Sequence, residues 1–369
     1  MSDVTGQRSQ TAAQKFEHDG SAATLAPIVI VNTVLNIITL STYRFWAKTR
    51  VRQYLWDQTS LDGDRLEYTG TGKELFYGFL IVFALVLMPL SGASSALGLL
   101  LTEDHPLYSA SYVAIFVLVW FLIGVARYRA RRYRLSRTQW RGIRAAQTGS
   151  SPLFGAKTLG FFALLPLTLG WTYPWQNMRL MSQMMNNTWF GDRRFTFEGP
   201  AGPLYKPFAL AWLVQLGMLL AIFLLAWSIS GAHAAGGEDG GVGVGIELGP
   251  WAVVLILVPV LYILALPLTF AWYQARQMRY MASCTRYEDV RFSFDATGPS
   301  LIWLYFGNLL IMIVTLTFGV PFTQMRRFRY FCDRLTIHGE ADFDAIRQSS
   351  EKRDRIGEGL ADAFDMGAI

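Results

Sequence analysis

The chain has 369 residues, 52% hydrophobic, 14% aromatic and only 16% charged, with a net charge of +6. Soluble domains carry roughly 25% charge, so an ordinary soluble protein is excluded, and the apolar residues fall into blocks of the length a membrane helix needs, about 20 residues. A sequence pI near 9.3 then points to anionic lipid and to the orientation rule of membrane insertion rather than to nucleic acid.

Residues 1–20 are polar and lack an apolar run with a cleavage site, so no cleavable signal peptide is predicted. Seven apolar segments follow: 22–40, 75–101, 108–126, 153–169, 204–228, 251–270 and 301–320. Pro89, Pro166, Pro259, Pro267 and Gly307 lie inside them, as membrane helices tolerate. Lys and Arg are missing from two connections. Residues 102–109 carry Glu103 and Asp104, and the glycine-rich stretch 230–250 carries Glu238, Asp239 and Glu247. Every other connection is basic, most densely at Arg127, Arg129, Arg131, Arg132, Arg134, Arg137, Arg141 and Arg144. Basic loops stay in the cytoplasm, so the two acidic loops are predicted outside, each joining a hairpin of two spans.

This assignment creates a conflict. Basic stretches lie on both sides of 153–169 and of 301–320, although only one apolar segment separates each pair. Two arrangements satisfy the sequence. Either these segments, with 22–40 by analogy, do not simply span, being re-entrant or lying partly in the interface against other helices, or there are seven plain spans with mixed loop charge.

A pattern recurs along the chain: an apolar segment ending in Thr-Leu or Leu-Thr, aromatics, a basic stretch, then a short turn-and-strand unit. Copies lie at 39–70, 167–199, 268–298 and 316–343, with an Arg-rich fifth at 125–149. Tyr43, Trp46, Trp171 and Trp175 are placed for the headgroup level, where amphipathic rings are favoured. Arg44, Arg50, Arg52, Arg127, Arg131, Arg134, Arg179, Arg279 and Arg326 supply cations for lipid headgroups beside them. LDGDRLEYTG alternates about Asp62-Gly63, a hairpin signal, and GDRRFTFEG repeats the device with Phe195 and Phe197 on one face.

Thr39, Tyr43, Trp46, Arg50, Arg52, Tyr54, Asp62, Gly63 and Gly70 form a run that resembles the YjgN-type family of bacterial inner-membrane proteins. Later copies depart from it, with Phe190-Gly191 and Glu288-Asp289 at the turn. The resemblance covers nearly the whole chain and implies a bacterial inner membrane. The family has no known function, so it supplies no catalytic residue.

No convergent chemistry is visible. His18, His105, His233 and His338 are scattered without metal-ligand spacing, and no phosphate loop or nucleophile elbow occurs. Asp62 and Asp64 are read as turn residues that satisfy local backbone N–H groups. Cys284 and Cys332 suggest no disulfide framework. Asn32, Asn36, Gln215 and Asn308 are the polar residues at depth, and Asn32, Asn36 and Asn308 are candidates for a polar pathway.

The expected fold is an all-α polytopic membrane protein with internal repeats and small cytoplasmic β-hairpin elements. A polar segment at 1–20 precedes repeat units at 21–150 and 151–299, a half unit at 300–343 and a polar tail at 344–369. The expected function is non-enzymatic, without cofactor or metal. It is either transporter- or channel-like, for a small solute or lipid, or that of a non-transporting scaffold that binds anionic phospholipid; nucleic acid is not an expected partner.

Overall fold

The computed structural model describes residues 13–102, 104–235, 250–339, 346–348 and 359–363. Glu103, Glu238, Asp239 and Glu247 of the two acidic loops lie outside the described residues, as does most of the 344–369 tail. The chain divides into two compact units. One comprises Met1–Pro200, Met281–Asp295 and Leu310–Ile369, the other Ala201–Tyr280 and Ala296–Leu309.

The first unit holds ten strands. β1 (Gln14–His18) opens the chain, and four hairpins follow: β2 (Thr59–Leu61) with β3 (Asp64–Tyr68), β4 (Thr138–Trp140) with β5 (Ile143–Gln147), β6 (Thr188–Phe190) with β7 (Arg193–Phe197), and β8 (Thr285–Tyr287) with β9 (Val290–Phe294). β10 (Leu335–His338) is last. The hairpins pair side by side, and β1 pairs with both β2 and β10, which closes an antiparallel barrel. The expected all-α class is therefore overturned. Strands of three to five residues are too short to persist as separate hairpins, and each would leave unpaired edges; closing on one another removes every edge. The strand that completes the ring lies within the polar 1–20 segment, where no apolar block marks it.

Helical pairs join the strands. α1 (Ala22–Ile38) leads to α2 (Arg44–Asp57), α6 (Ser151–Leu167) to α7 (Tyr173–Met185), and α10 (Gly298–Val314) to α11 (Val320–Arg334). The first helix of each pair has 17 residues. At its end the chain turns back through two residues of positive φ: Leu40 and Ser41, Leu169 and Gly170, Leu316 and Thr317. The N–H groups of Ser41, Gly170 and Thr317 donate to the carbonyls of Asn36, Leu165 and Met312 at 2.7, 2.7 and 2.9 Å. In each of these three pairs the chain leaves from one barrel strand and returns to another.

The other two pairs are longer. α3 (Gly72–Val82) continues through a π-helical segment, Phe83–Leu87, into α4 (Met88–Leu100). Pro89, which has no N–H and crowds the carbonyl four residues back, accounts for the widened turn before it. α5 (Pro106–Arg137) then runs to β4, while α8 (Gly202–Ala235) and α9 (Pro250–Ser283) join β7 to β8. Among the described residues three helices are long and apolar enough to cross a membrane, Gly72–Leu100, Pro106–Arg137 and Gly202–Ser228. The fourth expected span, 251–270, lies on the 34-residue α9.

Local chemistry sets the helix starts. Ser21, Thr71, Ser150 and Thr297 each accept, through Oγ, the N–H three residues on, at 3.2, 3.4, 3.3 and 3.3 Å, the usual N-cap bond. Gly124 of α5 and Gly155 of α6 let those backbones meet; a Cβ at Gly124 would lie 2.8 Å from Gly155 Cα. In the second unit, Leu204, Phe208, Tyr273, Leu301 and Leu304 are buried. There Gln215 donates to Thr269, and Tyr305 to Gln274.

Candidate functional site

The five joins of helix to barrel are built alike. The residue after each second strand donates its N–H to the carbonyl just before a first strand: Asp19 to Gln58, Thr69 to Arg137, Thr148 to Asn187, Glu198 to Cys284 and Asp295 to Arg334, at 2.9–3.1 Å. Four first strands start with a threonine whose hydroxyl donates to the carbonyl four residues back, Thr59 to Leu55, Thr138 to Arg134, Thr188 to Met184 and Thr285 to Met281. Leu335 holds that place in β10. β10 and β1 therefore act as a fifth hairpin whose two strands come from opposite ends of the chain.

Strand alternation fixes what faces inward. Phe16, Leu66, Ala145, Phe195 and Phe292 form a middle row, and Leu61, Trp140, Phe190, Tyr287 and Ile337 a row toward the turns. All ten line a cavity of about 340 Å³. Their few polar atoms are already engaged: Trp140 Nε1 reaches the carbonyls of Leu61 and Asp64, both at 3.3 Å, and the Tyr287 hydroxyl donates to the Phe190 carbonyl at 3.1 Å. Ile346 of the tail packs on Leu61, Trp140, Tyr287, Val290 and Ile337 at the turn end. Gln348 donates to the Gly142 carbonyl at 2.9 Å and accepts from Arg144 N–H at 3.0 Å, while Arg347 N–H donates to Asp192 at 3.2 Å. A second described piece of tail, α12 (Gly359–Ala363), packs Ala361 against Val82, Val125 and Ala126, and its buried Asp362 pairs with Lys48.

The cavity surface is apolar almost throughout, and Arg131 is the one charged residue among its described lining side chains. Arg131 donates to Gln147 Oε1 at 2.9 Å, Thr188 Oγ1 at 2.7 Å and the Met185 sulfur at 3.6 Å. Among the described residues no carboxylate pairs with it. Gln147 Nε2 is buried without an acceptor.

The predicted interface residues divide. Arg44, Arg50, Arg127, Arg179 and Arg279 are exposed, and several cover rings: Arg44 lies 4.9 Å over Phe79, Arg50 5.6 Å over Tyr43 and Arg179 5.9 Å over Trp175. Tyr43 stacks on Trp46, Trp175 packs against Phe161, and Trp171 is exposed. Arg134 and Arg326 are half-buried. Arg52 is 2% exposed and donates to the Tyr68 hydroxyl at 3.2 Å, inside the protein.

The structure brings Asn32 and Asn36 together with Lys48 in a cavity of about 230 Å³ between α1, α2 and α11. Asn32 Nδ2 donates to the Ala47 carbonyl, and both Oδ1 atoms are buried without partners. Such a polar pocket has room for water. Asn308 belongs to the other unit and does not line it. Asp62 and Asp64, expected to serve their own turn, pair across to Arg141 on the next hairpin. Arg193 and Glu288 repeat that pairing.

Sequence reasoning missed the lumen and β1. A signal existed: His18-Asp19-Gly20-Ser21 parallels Tyr68-Thr69-Gly70-Thr71 and Gln147-Thr148-Gly149-Ser150, marking a second strand followed by a capped helix.

Comparison with known proteins agrees with the membrane character. A stretch of 372 aligned residues is 21% identical to inner membrane protein YjgN of Salmonella typhimurium and covers 88% of each chain. Over 135 residues the chain is 27% identical to inner membrane protein YjgN of Escherichia coli O157:H7, which covers 36% of this chain but only 30% of that protein's length. Over 93 residues it is 30% identical to the YjgN protein of Escherichia coli K12. No solved structure matches the chain. Residues 13–363 match the family described as "Bacterial protein of unknown function (DUF898)", and the chain belongs to that family.

Proposed function

We propose that the protein is a non-transporting inner-membrane scaffold whose basic helices hold anionic phospholipid headgroups around the barrel. The observation that carries this reading is the form of the three short helical pairs. Each exposes a leucine at its turn, Leu40 at 90%, Leu169 at 72% and Leu316 at 77%. Ile37, Ile38, Leu167, Ile313, Val314 and Phe318 beside them are also exposed. Three apolar tips at matched positions suit insertion into hydrocarbon, since patches of this kind mark a contact surface. Their return helices carry Arg over aromatic rings, the chemistry of the headgroup layer.

In this reading the five helix-to-barrel joins are copies of one unit, and the barrel with all five basic stretches lies on the cytoplasmic face. The two long pairs span while the three short ones enter and turn back, which resolves the charge conflict. The transporter-like alternative has less support. Ile346 packs across the turn end of the barrel lumen.

Native mass spectrometry of the protein in nanodiscs of mixed phosphatidylglycerol and phosphatidylethanolamine tests the reading. Retained phosphatidylglycerol is expected, and a combined Arg44→Gln, Arg50→Gln, Arg179→Gln variant should retain less of it. Equal retention of both lipids would refute headgroup binding. Solute flux in vesicles that is abolished by Asn36→Leu would restore the transport reading.

A further inference from the structure

We propose that the barrel lumen is a binding site for a single-chain anionic amphiphile, its tail along the aromatic wall and its acidic head at Arg131. The inference does not rest on the headgroup reading above, because the lumen is inside the barrel and the rim arginines lie outside it.

The wall fits an alkyl chain. Phe16, Leu66, Phe195 and Phe292 offer no hydrogen-bonding group, and the polar atoms of Trp140 and Tyr287 are already satisfied within the wall. A polar solute would lose its hydration there without replacement. The cavity measures about 340 Å³, and at roughly 30 Å³ per water-sized group it holds about eleven such groups. That is one medium chain with a small head; a two-chain lipid does not fit.

The helix end fits the head. Arg131 is a permanent cation whose described partners are all neutral: an amide oxygen, a hydroxyl and a thioether. The amide that accepts from it has its own Nε2 buried and unmatched. The donors outnumber the acceptors, and a planar guanidinium fork suits a carboxylate or phosphate. An acidic headgroup at the cavity's helix end would supply the anion that the described partners of Arg131 lack.

Binding is measured on the full chain in amphipol, free of alkyl detergent, with decanoate, decyl phosphate, decyltrimethylammonium and inorganic phosphate as probes. Decanoate and decyl phosphate are expected to bind; the cationic amphiphile and inorganic phosphate are not. A decanoate with a terminal diazirine should crosslink to strand peptides containing Trp140 or Phe195. Arg131→Met should weaken decanoate roughly tenfold or more, the scale of a lost charge-assisted bond, and Arg131→Lys should recover part of it. Ala145→Trp should block the lumen; if that chain does not fold, the Arg131 pair still decides the matter. Equal binding of the cationic amphiphile, no binding of any amphiphile, or crosslinks only on the outer helices would overturn the proposal. Crosslinking of a diazirine phosphatidylglycerol to the same strands would overturn the single-chain assignment.

Discussion

Barrel closure by the two chain ends makes a demanding prediction. Lys15 of β1 pairs directly with Thr336 of β10, so cysteines at both positions should place their Cβ atoms about 4.5–5.5 Å apart and oxidise to a disulfide with small adjustment. Native Cys284 and Cys332 are buried and should not compete. The new bond would close a loop of roughly 320 residues, for which chain-entropy loss amounts to at most about 5–6 kcal/mol. Taking about 2.1 cal/mol/K of unfolding entropy per residue, cooperative melting of the chain should shift upward by about 7 °C. Non-reducing electrophoresis and thermal melting with and without reductant read the two effects. Lys15→Cys with Ser293→Cys is the control, because Ser293 lies on β9, two strands from β1, about 9–10 Å away. If the control pair oxidises as fast as Lys15–Thr336, or if neither forms, the closed ring is wrong.

Four other perturbations probe the joins and the helix packing. Thr285→Val removes the bond to the Met281 carbonyl and should cost about 1 kcal/mol in urea titration, whereas Leu335→Thr should be nearly neutral because the matched position tolerates either. Gly155→Leu must displace Val125 Cγ2, 2.6 Å from an added Cβ, and the Phe121 carbonyl at 2.9 Å; a loss of about 1–3 kcal/mol or more is expected. Gly160→Ala, with nothing near its Cβ, should not lower the melting temperature. Glu74→Gln leaves the Arg137 cation, 5% exposed, without its carboxylate at 2.8 Å; because Glu74 is itself 32% exposed, the cost should fall to about 1–3 kcal/mol, below that of a fully buried pair. Burial, then the Arg329 guanidinium, hold the His18 pKa below its ordinary 6.5, against opposing effects of Asp19 and Asp333. The unfolded chain therefore takes up that proton first, and this contribution falls as pH drops below about 6.5; His18→Gln should flatten the melting temperature between about pH 7.5 and 5.5.

The membrane character was legible because apolar blocks and loop charge are local properties of the sequence. The segments 153–169 and 301–320, where the loop charges conflict, hold the 17-residue helices α6 and α10, which end in turns at Leu169 and Leu316. The hairpins at Asp62-Gly63 and Gly191-Asp192 were legible too, from turn chemistry and alternation. The barrel was not, because pairing between β3 and β4, or between β10 and β1, joins segments far apart in the chain, and three-residue strands carry almost no periodicity. Among candidate site residues, Arg44 and Arg50 lie on the surface as charge predicts. Arg52, two residues on, is buried beneath Tyr68; one helical stretch of cations thus has both exposed and internal members, which composition cannot separate.

The matched joins also show where charge is needed. Seven residues before the first strand of each hairpin stand Arg52, Arg131, Met181, Met278 and Phe328. At three of the five joins the partner on the following second strand is visible: Arg52 meets Tyr68, Arg131 meets Gln147, and Phe328 meets His18 at 5.7 Å between rings. Three of the five positions are filled by Met or Phe, so packing at this join does not require a cation. Burying one there carries a desolvation cost that an apolar side chain avoids. Arg52 offsets the cost through the Tyr68 hydroxyl and ring, away from the lumen. Arg131 faces the lumen with neutral partners and an unmatched amide beside it. A charge kept where its counterparts do without one is explained by what it binds, and the cavity it faces has room for an alkyl chain behind the anion.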